Sequence, residues 1–278
     1  MRRRLRACLA GFCFAVFGVG SFVFGLSLVP LLVLLPEIRR RRIACALNRF
    51  AWRVFVALMS ALRLLRTKIS REDAEILRRS RGAIVVANHP TLIDVLFLVC
   101  ATARPICFVK GALLDNVFVR RVVDIVHLPG SLPAATLFEK AETLLACGFN
   151  IVIFPEGTRT VPGKKSKFHR GAANLSLRTG APILPVKISA EPQVLGKHQK
   201  WWQVGDRCVS FTLRVLPPIL PKDFAGTAAS AVRAGATEKT GVRAAGTGRV
   251  ATFFHNPAKR MTARIEEILC VSGAEAES

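Results

Sequence analysis

Acidic residues are scarce in this chain. Eighteen Asp and Glu stand against 41 Lys and Arg, a formal net charge of +23 over 278 residues. Such an imbalance implies an anionic partner, either nucleic acid or an anionic membrane surface. Composition alone does not choose between them. Paired cysteine ligands are also missing. The eight cysteines form no C-x-x-C pair and have no cluster of histidines beside them, which argues against both zinc and a disulfide framework. Several lie in apolar runs, where a free thiol behaves as a small hydrophobe. Reduced thiols in a protein facing the cytosol are the expectation. There is no internal repeat.

Charge is missing altogether between Ala7 and Pro36. Arg2, Arg3, Arg4 and Arg6 precede this run, and Arg39, Arg40, Arg41 and Arg42 follow it. A straight helix over it would be ~45 Å long, against ~30 Å of bilayer hydrocarbon. Gly18, Gly20, Gly25 and Pro30 offer places to bend. The positive-inside rule places both arginine clusters on the cytoplasmic side. One span cannot satisfy both, so a re-entrant or monotopic hairpin is favoured over a single transmembrane helix. The run is too long for a cleaved signal peptide and lacks its small-residue exit.

Residues Ile43 to Arg66 read as a basic amphipathic helix. At 100° per residue, Asn48, Arg49, Arg53, Arg63 and Arg66 share one arc. Phe50, Val54, Leu58, Leu62 and Leu65 fill the rest, as expected for a helix lying on an anionic membrane. An ordinary helix docked on the core domain is the competing reading. Residues 1–66 are thus an anchor, and 67–278 a separate domain.

That domain alternates strands and helices. Strands are expected at Ala83 to Ala87, Ile106 to Val109, Asn150 to Phe154, Ile183 to Ile188 and Val209 to Val215. Helices are expected at Pro90 to Cys100, Ala134 to Cys147, Gly171 to Arg178 and Pro257 to Cys270. The pattern implies an α/β fold with a mixed, largely parallel sheet flanked by helices. Residues 225–250, rich in Ala, Gly and Thr, read as a flexible insertion.

Two segments carry chemistry. After the first strand the chain reads Ala87-Asn88-His89-Pro90-Thr91-Leu92-Ile93-Asp94. With Pro90 opening a helix, His89 becomes its cap, and its ring can meet Asp94 across the first turn. A carboxylate on one ring nitrogen fixes the tautomer and leaves the other nitrogen as a base for an alcohol attacking a carbonyl. No Ser or Cys nucleophile stands in the motif, so direct transfer is the simpler scheme. The alternative is a cap histidine beside a solvated aspartate. After the strand Asn150 to Phe154 comes Pro155-Glu156-Gly157-Thr158-Arg159-Thr160. A strand entering a Pro/Gly loop sets polar groups at the sheet's carboxyl edge, where α/β proteins bind ligands. Arg159 offers a fork suited to phosphate. Glu156 either orients a hydroxyl or holds Arg159; a tight loop with a surface ion pair is the plainer alternative.

NHPTLID and FPEGTRT resemble the first and third blocks of the glycerolipid acyltransferases, the 1-acylglycerol-3-phosphate or lysophospholipid acyltransferase type. Ala181 to Ile188 is similar to the fourth block. Phe108 to Gly111 and Arg120 stand where the second is expected, and the likeness spans roughly Arg66 to Pro221. The resemblance implies His89 as general base with Asp94 orienting it. It implies Glu156, Gly157, Thr158 and Arg159, assisted by Lys110 and Arg120, as binders of the acceptor's glycerol-phosphate end. It further implies acyl-CoA or acyl-ACP (acyl carrier protein) as donor, a lysophospholipid acceptor, an anionic membrane as surface, and neither cofactor nor metal. The layout is similar to a bacterial subgroup with a short N-terminal anchor, which implies the inner membrane, catalytic domain on its cytoplasmic face. Some members serve specialised lipid pathways, so a non-glycerolipid acceptor is the alternative, as is a catalytically silent lipid-binding protein. No nucleic-acid motif is visible, and membrane phosphates account for the charge more economically than nucleic acid.

Overall fold

In the computed structural model the described residues are 3–109, 123, 125–161, 166–197, 199, 203–224 and 256–271. Lys110, Arg120 and the segment 225–250 lie outside them. The elements are α1 (Arg3–Val33), α2 (Glu37–Ala61), β1 (Leu65–Ile69), α3 (Arg71–Arg79), β2 (Ile84–Ala87), α4 (Asp94–Ala101), β3 (Pro105–Val109), β4 (Leu128–Pro129), α5 (Ala134–Ala146), β5 (Asn150–Ile153), α6 (Gly171–Thr179), β6 (Ile183–Glu191), β7 (Val209–Val215) and α7 (Pro257–Val271).

The strands form one sheet of seven in the order β1-β7-β6-β2-β5-β3-β4. Only β6 and β7 run antiparallel; every other neighbouring pair is parallel. This is the mixed, largely parallel sheet expected from the alternation of elements. β2 sits at its centre with all four residues buried. Successive strand residues face opposite ways, so Ile84 and Val86 join the core under α5, α6 and α7. Val85 and Ala87 join the second core, beneath α2 and α4. Two asparagines tie the strands. Asn150, fully buried at the start of β5, accepts from Ala83 N–H and donates to the Ser80 and Ala103 carbonyls. Asn88, just past β2, donates to Ile188 O at 2.8 Å and accepts its N–H at 2.7 Å.

The N-terminal region forms a hairpin, though not the one expected. α1 runs unbroken through Gly18, Gly20, Gly25 and Pro30, and the chain reverses only after it. α2 returns along α1, with Phe17 stacked on Trp52 at 4.2 Å. The two arginine clusters therefore lie toward opposite ends of α1, and both reach the domain; Arg3 donates to Val204 O at its surface, and one member of each cluster is buried. Arg6 is 4% exposed and donates to the carbonyls of Arg63, Leu64, Gly205 and Arg207. Arg41 is also buried, donating to Ile125 O and pairing with Glu37.

α2 is long and apolar enough to cross a membrane, yet one face is committed to the domain. Ala44, Cys45 and Asn48 are buried there, and Arg49 and Arg53 both donate to Cys100 O at the end of α4. The helix docks on the domain, as in the competing reading, but largely through its polar arc. Much of the polar arc turns toward protein, while apolar Phe50 and Val54 are more than half exposed. Phe12, Val19, Val23 and Leu26 of α1 are exposed to the same degree. The helix also stops at Ala61, short of Arg66. Leu65 and Arg66 instead open β1, because pairing with β7 satisfies their backbone.

Candidate active site

The carboxyl ends of β2 and β5 are neighbours in the sheet. Each runs into one of the two motif loops, so the topology delivers His89 and Glu156 to the same edge. The helix expected from Pro90 begins only at Asp94. Residues between them form a turn built around the Asp94 carboxylate, which is 0% exposed. Asp94 Oδ2 accepts Thr91 N–H at 2.6 Å, and Oδ1 accepts the Thr91 hydroxyl at 2.6 Å. A continued helix would have pointed those donors elsewhere, so the turn wins over helical propensity at Pro90.

His89 Nδ1 lies 2.9 Å from Asp94 Oδ2. An ionised carboxylate only accepts, so Nδ1 carries the proton and donates. Nε2 is then left with its lone pair. The ring stacks on Phe154, centroids 4.4 Å apart, which restricts its rotation. Its side chain keeps 20% exposure while Asp94 has none. A fixed tautomer, a held ring and a partly exposed side chain are what general-base chemistry requires of a histidine.

The second loop locks the first. His89 N–H is shared between Glu156 Oε1 at 3.2 Å and Thr160 Oγ1 at 3.1 Å. The Thr160 hydroxyl donates to Glu156 Oε1 at 2.6 Å, and Thr160 N–H donates to His89 O at 2.8 Å. Glu156 is 6% exposed, and its Oε2 has no partner among the described residues. It does not hold Arg159. Arg159 instead reaches the carbonyls of Leu195 at 2.9 Å, Gly196 at 2.8 Å and Lys197 at 3.2 Å. Leu195 O also accepts Leu92 N–H, so this strap is joined to the His89 turn.

Gly157 adopts φ 61°, and a Cβ there would stand 3.3 Å from the His169 ring. Both the left-handed conformation and the close ring favour glycine. His169 N–H donates to Pro155 O. The sequence reading passed over Thr91, Phe154, Thr160 and His169. Thr91 and Thr160 stand inside or beside the motifs, where a hydroxyl near a buried carboxylate was the available signal. His169 and Phe154 carried none. Thr158 belongs to the turn after β5 and makes no described polar contact. Lys110 and Arg120, expected to assist, fall outside the described residues.

Residues 68–189 match the family model described as Acyltransferase. A 1-acyl-sn-glycerol-3-phosphate acyltransferase of Limnanthes douglasii is 25% identical over 221 residues, 76% of this chain and 73% of that protein. The alpha form from Mus musculus is 27% identical over 154 residues, 49% of either chain. The Borreliella burgdorferi enzyme is 32% identical over 127 residues, covering 44% of this chain and 51% of its own. The chain spans about half the length of the mammalian alpha relatives it matches. The crystal structure of the 1-acyl-sn-glycerophosphate acyltransferase PlsC from Thermotoga maritima shares the fold, with a TM-score of 0.64 at 18% identity over 95% of this chain and 98% of that one. The histidine–aspartate pair and the FPEGTRT loop meet at one edge of this sheet, inside residues 68–189, and over that span the chain is similar to the glycerolipid acyltransferases.

Proposed function

We propose that this protein is a membrane-bound O-acyltransferase that moves a fatty acyl group from acyl-CoA or acyl-ACP to the free hydroxyl of a lysophospholipid. The acceptor is 1-acyl-glycerol-3-phosphate and the product phosphatidic acid, the chemistry named for its relatives. The observation that carries this reading is the His89–Asp94 contact, which leaves Nε2 as the base. In the reaction, Nε2 takes the hydroxyl proton as the oxygen attacks the thioester carbonyl. The C–S bond breaks as the tetrahedral intermediate collapses, and the imidazolium returns its proton to the departing thiolate. Asp94 stabilises the imidazolium between those steps. Glu156 Oε2, buried and without a partner among the described residues, is available to accept a hydroxyl of the acceptor. No metal or cofactor is assigned.

The apolar faces of α1 and α2 support a lipid surface as the place of work, with the helices lying in the interface rather than spanning it. A narrow apolar crevice lined by Ala10, Phe14, Met59, Ile93 and Leu195 joins the hairpin to the residue beside Asp94. The cytoplasmic face of a bacterial inner membrane is the location we favour. Glu156, Gly157 and Arg159 are assigned to the acceptor's glycerol-phosphate end, with Lys110 and Arg120 assisting.

One observation favours a second acceptor class. The Nη atoms of Arg159 are already bonded to three carbonyls, so a phosphate would have to displace the 195–197 strap. A non-glycerolipid acceptor without a phosphate needs no such exchange. The test is to incubate wild type and His89→Ala in detergent with labelled acyl-CoA or acyl-ACP and a panel of lysolipids and alcohols. We expect a labelled phospholipid with wild type and a loss of roughly 10³-fold or more with the variant. Product from phosphate-free acceptors alone would select the second class. Equal turnover by the variant would sink the histidine's role.

A further inference from the structure

The amino-terminal edge of the sheet, opposite His89, holds a cleft of about 910 Å³ lined by seven arginines. Arg42, Arg49 and Arg53 come from α2. Arg78, Arg79 and Arg81 come from the end of α3 and the turn into β2. Arg104 precedes β3. Three separated segments thus bring cations to one concavity: the body of α2, the end of α3 with the turn into β2, and the turn into β3.

Counter-charge is nearly absent. Glu75 pairs with Arg78 and Arg79. Arg42, Arg49, Arg53, Arg81 and Arg104 make no ion pair among the described residues. The Cys45 thiol in the cleft wall supplies none, since burial pushes it up to about 12. Arg49 and Arg53 share a single carbonyl, Cys100 O, at the negative end of α4. Arg49 Nε is buried with no acceptor. Burial and the neighbouring cations Arg42 and Arg81 hold Arg104 below its usual range. Arg104 also adopts φ 42°, an unfavourable conformation for a residue with a Cβ. Like charges are gathered, partly desolvated and left uncompensated, an arrangement that an entering anion relieves.

We propose that this cleft is a binding site for a ligand with two or more clustered phosphates, separate from the catalytic edge. Guanidinium forks match phosphate oxygens in pairs; Arg49 and Arg53 share one carbonyl and Arg81 bonds two through Nη1, yet five guanidinium charges without an ion pair among the described residues exceed what one phosphate monoester can engage. At ~3.3 Å per residue, the eight steps from Arg81 to His89 span at most ~26 Å, and β2 alone separates the edges by ~10 Å. A phosphate a few bonds from a hydroxyl reacting at His89 cannot reach the cleft. The same chemistry exists in two sources: the phosphoadenosine diphosphate end of a CoA thioester, and a polyphosphorylated lipid headgroup.

The test is calorimetric titration of the full chain in detergent with inorganic pyrophosphate at low salt. It needs no acyl transfer, so its failure and the failure of the proposed function are distinguishable. We expect binding to one site that weakens with added salt. Arg53→Gln and Arg104→Gln are each expected to weaken it by roughly tenfold. Arg53→Lys should restore only part, since charge returns without the fork. His89→Ala should bind as wild type does. No binding by wild type, unchanged binding by both glutamine variants with their folds intact, or equal weakening by His89→Ala would each overturn the proposal. Adenosine 3′,5′-diphosphate and phosphatidylcholine vesicles bearing a diphosphate-headgroup lipid then distinguish the sources. Arginine-dependent binding of either one supports the site and names its ligand.

Discussion

The two edges of one sheet follow opposite electrostatic logic. At the carboxyl edge nearly every polar group has a partner: the Asp94 carboxylate takes three donors, and His89 N–H is shared by two acceptors. What is left over is one ring nitrogen and one glutamate oxygen. At the amino edge the excess is large, with five guanidinium groups lacking an ion pair among the described residues. The first arrangement fixes a reacting atom to a fraction of an ångström, as proton transfer requires. The second tolerates loose geometry, because attraction between charges falls off slowly with distance. The first suits the proposed proton transfer; the second suits the proposed capture of an anion.

That contrast can be broken from the catalytic side. Asp94→Asn keeps the shape but lets an amide N–H face the ring. We expect acyl transfer to fall by roughly 10³–10⁴ and stability by about 1–3 kcal/mol, since one of the three donors on Asp94 loses its acceptor, checked by steady-state rates beside melting curves. Thr91→Val removes the hydroxyl bonded to Asp94 Oδ1. It should cost about 1–3 kcal/mol of stability and lower kcat more than it raises KM. A change confined to KM would mean that Thr91 touches substrate rather than orienting Asp94. Gly157→Ala must hold a left-handed φ against the His169 ring and should cost about 1–2 kcal/mol in denaturant titration. An unaltered midpoint would show that the loop relaxes freely.

The smallest effect concerns a histidine outside either edge. His127 accepts Cys107 N–H, and burial with the nearby Arg41 charge pushes it down to about 4, from 6.5. Its folded value is depressed, so the unfolded chain binds the extra proton. The stability it contributes is present above pH 6.5 and is lost as pH falls toward 4. His127→Gln should flatten the decline of the thermal midpoint across that window while leaving it unchanged at neutral pH. An equally steep decline would assign the acid sensitivity to other groups.

Much of the fold was legible because buried parallel strands write themselves as apolar runs. Ile84–Ala87 and Asn150–Ile153 are fully buried, and the sequence shows both as unbroken stretches. β1 was not legible: only Leu65 of Leu65–Ile69 is buried, so no alternation appears. α3 carried a signal that went unused. Ser70 caps the Asp73 N–H, the S-x-x-D pattern of a helix start. Periodicity found the two faces of α2 but not which neighbour each would meet, because Cys100 O and α4 approach from a distant part of the chain. At the site, the His89–Asp94 pair was readable from spacing and motif. Arg159's attachment to residues 195–197 was not, since nothing local marks three carbonyls as its partners.

Four carbonyls from two separate loops converge on the Arg6 guanidinium. This contact acts as a rivet between the hairpin and the sheet: pulling α1 away would strand several acceptors at once. The helices are therefore a keel rather than a tether. In the lipid-bound state proposed above, the fold would fix His89 relative to the hairpin, so that the depth of docking alone would set the reach of the site.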